Sequence, residues 1–125
     1  LNVVHHGFKD LRSSITKKII ENCDFLISPS CSEGQSTSVL AGMACGLVPI
    51  ITEECGVNIN ENIFSLNSHS INEIAGVIDN ALSLNFISYR NKSENVMNLI
   101  RDNHQINQFQ ETLENYLFEF GFYNS

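Results

Sequence analysis

CDFLISPSCSEGQSTSVLAGMACGLVPIIT, residues 23–52, reads as two apolar runs separated by a polar loop and a helix. The first run, Cys23-Asp24-Phe25-Leu26-Ile27-Ser28, is stopped by Pro29. A nearly continuous apolar stretch of this length is what a strand looks like when both its faces are covered, as in a parallel sheet flanked by helices. Residues 30–36 are small and polar, a loop. Val39, Leu40, Met43 and Ala44 then recur at helical spacing, and Gly46 follows as a C′ residue. The second run, residues 47–52, contains Pro49, which argues against a central strand. Its length and its position after a helix still favour a strand. Strand, helix, strand in that order is a parallel crossover unit.

Working outward, residues 2–8 open with β-branched Val3 and Val4 and predict a short strand that turns at Gly7. Residues 14–22 predict a helix with Ile15, Ile19 and Ile20 on one side, Lys17, Lys18 and Glu21 on the other, and Ser13 or Ser14 as N-cap. Downstream, a loop carrying Glu53, Glu54 and Gly56 leads to a weaker strand over residues 62–66. From Ser70 the pattern is helical. Ile71, Ile74, Ala75, Ile78 and Leu82 make one face, and Ser70 with Glu73 would form a capping box. Two more helices are expected over residues 86–101 and 105–120, the last with Ile106, Phe109, Leu113, Tyr116, Leu117 and Phe120 on one stripe. Four strands and at least five helices predict an α/β fold, a Rossmann-like three-layer α/β/α arrangement with a mainly parallel sheet, over residues 1–125 as a single domain.

The 125 residues suffice for one core, and 42% hydrophobic against 17% charged residues is a globular balance. Fourteen acidic against seven basic residues leave a net charge of −7, which disfavours nucleic acid as a partner. A small anion held by backbone amides is still allowed. Cys23, Cys31, Cys45 and Cys55, at spacings of 8, 14 and 10, contain no C-x-x-C pair. Cys23, Cys45 and Cys55 neighbour apolar or small residues and read as reduced, small hydrophobes, so a cytoplasmic chain is preferred to a disulfide framework or a zinc site. No apolar run reaches the length of a membrane span and no signal-peptide layout is present, which makes the Asn91-Lys92-Ser93 sequon a coincidence. His5 and His6 would face opposite sides of a strand and could not chelate together, and His69 and His104 read as surface residues beside helix starts. The run from Gly34 to Ser38 falls one glycine short of a nucleophile elbow, and the separation of Ser36 from the strand end argues against a hydrolase.

The loop between the two apolar runs is where ligands sit in a parallel sheet, at the C-terminal ends of strands. Free N–H groups at the start of the following helix make an anion site that works even in an acidic protein. Gly34 admits a ligand to the backbone, and the hydroxyls of Ser36, Thr37 and Ser38 could cap the helix or donate to phosphate oxygens. The plain alternative is that Ser36 is an N-cap and the loop a connection. Glu33 would repel a phosphate, so it suits accepting hydrogen bonds from sugar hydroxyls, unless it is a solvated loop glutamate.

On the Pro29-Ser30 step, Glu33-Gly34, Met43-Ala44-Cys45-Gly46 and the Pro49 strand ending in Thr52, residues 23–52 resemble the C-terminal half of the nucleotide-binding domain of retaining glycosyltransferases of the GT-B fold, the group 1 or family 4 class. The resemblance extends more loosely from His6-Gly7 to the helices after Ser70. It implies that Glu33 and Gly34 lie against the donor sugar, that Gln35, Ser36 and Thr37 face the diphosphate, and that Ser38, His6 and Phe8 lie toward the ribose or base. It implies no bound metal and no cofactor, the nucleotide sugar being a substrate. It implies a hexosyltransferase-type enzyme of polysaccharide or glycoconjugate assembly, acting in the cytoplasm or peripherally at a membrane, whose saccharide or lipid-linked acceptor is bound by a separate N-terminal domain. This chain alone is then expected to be inactive. The apolar stripe of the last helix reads most simply as packing on the domain's own core. In the resembling family that helix crosses toward the N-terminal domain, so without it part of the stripe is expected either to be exposed or to be covered by a second copy in a dimer through exposed helix faces. One departure stands out. The family's second glutamate would fall eight residues after Glu33, at Ala41, where a methyl group cannot accept hydrogen bonds from a ribose. The competing reading is a non-catalytic glycosyltransferase-like interaction or scaffold module.

Overall fold

Residues 3–10 and 12–119 are described by the computed structural model of the chain. The two apolar runs form strands β1 (Phe25–Ser28) and β2 (Val48–Ile51), which pair in parallel with Phe25 opposite Val48 and Ser28 opposite Ile51. A two-residue strand, β3 (Phe64–Ser65), adds to the other side of β2, giving the order β1-β2-β3. The described residues also form helices α1 (Ser14–Ile20), α2 (Thr37–Ala44), α3 (Ile71–Leu82), α4 (Phe86–Asn103) and α5 (Ile106–Glu119), and a 3₁₀ turn at Glu53–Cys55. The fold is α/β with a parallel sheet, as the sequence predicts.

Pro49 does occupy a central strand, and hydrogen-bond direction explains why it is tolerated. The amides of Val48 and Thr52 donate toward β1, to Asp24 O and Ser28 O. The N–H that Pro49 lacks would therefore point the other way. On that side the ladder to β3 begins only at the Ile50–Phe64 pair, so no β3 residue stands opposite it.

Strand alternation splits the interior in two. Ile51, with partly buried Leu26, packs with Val39 and Met43 of α2 and Val96 of α4, and Cys55, Val57 and Ile63 complete the cluster. Ile50 packs instead with Leu66, Ala81 and the partly buried Ile74, Val77 and Ile78 of α3. Gly46, at φ 87, ends α2 beyond its C-cap Cys45, as expected of a C′ glycine.

Several local expectations are overturned. Residues 3–8 form no strand; Val3 and Val4 are exposed, and Asn2 lies outside the described residues. Two β-branched residues cannot form a ladder by themselves, and the described sheet starts at β1. Three strands, not four, are thus present among the described residues. In α1 the buried residue is Thr16, not the isoleucines: Ser13 Oγ caps the Thr16 amide at 3.2 Å, and Thr16 Oγ1 donates to Asp10 O at 2.7 Å. The buried face of α3 runs through Ile74, Val77, Ile78 and Ala81, leaving Ile71 and Leu82 exposed, and Ser70 is its N-cap by backbone conformation without a side-chain bond, so the capping box does not form. Ser70 N donates instead to Ser68 Oγ at 2.9 Å, so its amide is already engaged and unavailable to the Glu73 side chain. Of the thiols, only Cys55 is buried; Cys23 and Cys45 are exposed, and all four are free. The α5 stripe buries nothing, with Phe109 66% exposed, while Phe120 lies outside the described residues.

Candidate functional site

Parallel pairing sends the segments that follow β1, β2 and β3 to the same end of the sheet. There the loop leaving β1 is tied to the segment after β2 by its own backbone. Glu33 N donates to Glu54 O and Ser36 N to Cys55 O, both at 2.9 Å. The buried Thr52 hydroxyl donates to Ser30 O at 2.6 Å, and the Cys55 thiol donates to Ser28 O at 3.2 Å. Gly56, at φ 69, lets the two segments touch: a Cβ there would stand 1.9 Å from Gly34 O. The loop backbone is therefore held in place while the side chains of Glu33 and Gln35 face solvent.

The first turn of α2 opens into this loop. Ser36 is the N-cap by conformation but makes no side-chain cap, because its hydroxyl is buried and lies 3.1 Å from Ser38 Oγ. The first-turn amides of α2 are thus left without a cap from Ser36, and the positive end of the helix comes two residues after the exposed Glu33-Gly34 step in the chain. No Lys or Arg occurs between Lys18 and Arg90, whereas Glu33, Glu53 and Glu54 all belong to this end of the sheet. The segments that meet here, residues 29–37, 52–57 and 66–70, thus offer an anion backbone amides and no Lys or Arg of their own.

The structure gathers Glu33, Gly34, Gln35, Ser36, Thr37 and Ser38 at one place, with Ser36 turned inward and the others exposed. Ala41 lies on α2 one turn beyond Thr37, half-buried. His6 goes elsewhere: it lines a groove of about 450 Å³ with Ile19, Asn22 and Cys23, at the end of the sheet where β1 begins. Phe8 is 97% exposed. Two residues the sequence did not single out for the site belong to it. Thr52 anchors the loop, and His69 reaches across from the segment after β3 to place Nε2 3.4 Å from the Cys31 thiol. The lone signal for Thr52 was its place at the end of an apolar run; nothing in local sequence could pair residues 31 and 69.

Comparison with protein-family models, with curated proteins and with solved structures finds no match to this chain.

Beside the loop, Gln35 and Leu40 share a groove of about 530 Å³ with His104, Gln105 and Phe109 from the junction of α4 and α5. Among the described residues no group of three or more His, Cys, Asp or Glu is placed to hold a metal ion. Nor is any described helix long and apolar enough to cross a membrane.

Proposed function

We propose that the chain is the donor-binding part of a retaining glycosyltransferase of hexosyltransferase type, with a nucleotide-diphosphate sugar as its ligand. One observation carries the reading: an exposed Glu33-Gly34 loop, fixed by main-chain bonds, lies against a helix start whose amides have no cap from Ser36. In this reading Glu33 accepts hydrogen bonds from the sugar, and the amides at Thr37 and beyond take the diphosphate. Those amides also lower the energy of the departing nucleotide diphosphate, where negative charge accumulates as the glycosidic bond breaks. A Rossmann-like three-layer architecture, half of a GT-B fold, belongs to the same proposal. So do an acceptor held by a separate domain and a place in polysaccharide or glycoconjugate assembly at the cytoplasmic side of a membrane.

A second reading, a non-catalytic module of the same descent, is favoured by Ala41 and by the lack of Lys or Arg between Lys18 and Arg90. Calorimetric titration with a panel of nucleotide sugars separates the two. Binding is expected, weakened roughly tenfold or more by Glu33→Ala, in keeping with loss of a charged hydrogen bond. Binding that is insensitive to Glu33→Ala removes the donor role assigned here, and failure of every nucleotide sugar to bind leaves the module.

A further inference from the structure

Cys31 and His69 come from different loops, 38 positions apart, and the fold brings the Cys31 thiol to 3.4 Å from Nε2 of the imidazole. Both side chains belong to exposed residues. The donor reading uses neither of them. Sulfur attacks as the thiolate, so a solvent-reachable thiol beside a base is an arrangement that speeds nucleophilic exchange.

The other three thiols supply the contrast within one molecule. Cys55 is fully buried and donates to Ser28 O. Cys23 is exposed but donates to a backbone carbonyl, Ile19 O, at 3.3 Å, a partner that cannot carry its proton away. Cys45 is the C-cap of α2, at the electronegative end of that helix, which gives no help to an attacking anion.

We propose that Cys31 and His69 form a thiol-exchange site for small disulfides in solution. The Cys31 proton passes to Nε2 of His69, and the thiolate attacks one sulfur of the disulfide. The bond from Cys31 to that sulfur forms as the disulfide bond breaks, and the departing thiolate leaves with the proton held by His69. The product is a mixed disulfide on Cys31 and one free small thiol, with no other oxidant consumed.

The test is competitive labelling of the native chain with a limiting amount of a small aromatic disulfide, followed by peptide mass mapping. Cys31 is expected to be labelled faster than Cys23 and Cys45, on the order of tenfold or more. His69→Asn, which keeps a polar side chain but has no basic nitrogen, is expected to bring Cys31 down to the rate of Cys23 while Cys55 stays protected. Equal rates at Cys31, Cys23 and Cys45 in the native chain overturn the proposal, as does undiminished Cys31 selectivity in His69→Asn. Should the variant expose Cys55 by unfolding, the comparison within the native chain decides. Nucleotide-sugar binding plays no part in the readout, so the proposal and the donor reading fail separately.

Discussion

At the residue scale, Gly56 and Gly34 touch each other but play opposite parts. Gly56 needs its lack of a side chain twice: its φ of 69 lies in the left-handed region, and an added Cβ would sit 1.9 Å from Gly34 O. Backbone cannot yield there as a flexible side chain would. Gly34 is in open space, where an added Cβ meets nothing within 4 Å. Gly56→Ala is therefore expected to cost about 1–3 kcal/mol from backbone strain alone, with displacement of the Gly34 loop adding to it. Gly34→Ala is expected to leave stability within about 0.5 kcal/mol of the parent. Urea titration of both variants checks this, and equal losses would show that the close approach of the two segments does not constrain the loop. If Gly34 serves a ligand, its substitution should be felt in nucleotide-sugar titrations instead.

At the scale of elements, β1, α2 and β2 were legible because each is bounded by residues with strong local preferences. Pro29 ends one run, Gly46 separates α2 from the next, and the apolar length of the two runs matches a covered strand. What escaped was non-local. Val3 and Val4 have strand-like side chains, yet a strand exists only if another edge receives it. The phase of α3 is not set by its sequence, because Ile71 and Leu82 are as apolar as Ile74 and Val77, and only contact with Ile50 and Leu66 selects which face is covered. The site was legible as a segment but not as an assembly, since the bonds from residues 52–56 that hold residues 28–36 depend on the parallel register. The same dependence shows where α4 meets β1. The Tyr89 ring packs edge-on against Phe25, with centroids 5.7 Å apart. Burial of its hydroxyl and the neighbouring Asp24 carboxylate raise the Tyr89 pKa above the usual value of 10.0, an effect that the Ser93 hydroxyl partly offsets. The folded state thus holds this proton more tightly than the unfolded chain. Its contribution to stability is fully present below about pH 10 and is lost as pH rises through the higher, folded value. Denaturation of the parent and Tyr89→Phe across this range should show a steeper alkaline loss in the parent; parallel curves would remove Tyr89 from the account.

At the scale of the whole molecule, the interior ends before the described chain does. Both hydrophobic clusters are assembled from residues no later than Ile100, on α4. α5 adds a stripe of Ile106, Phe109, Leu113 and Tyr116 that stays exposed, and it buries no residue of its own. Stability is unevenly distributed in such a molecule, because elements that share few buried contacts contribute little to the cooperative unit. A chain ending at His104 is accordingly expected to unfold in urea with a free energy within about 0.5 kcal/mol of the parent, since no member of either cluster is removed. By contrast, an end point ahead of Val96, which is fully buried against α2, is expected to abolish cooperative unfolding. The pairing of the two truncations is what gives the test its force. If shortening to His104 lowers the midpoint as severely as loss of Val96, then α5 belongs to the cooperative core despite its exposure. If it does not, the apolar stripe contributes nothing to the fold that carries it, and the groove beside Gln35 can lose its α5 wall without disturbing the loop that holds Glu33.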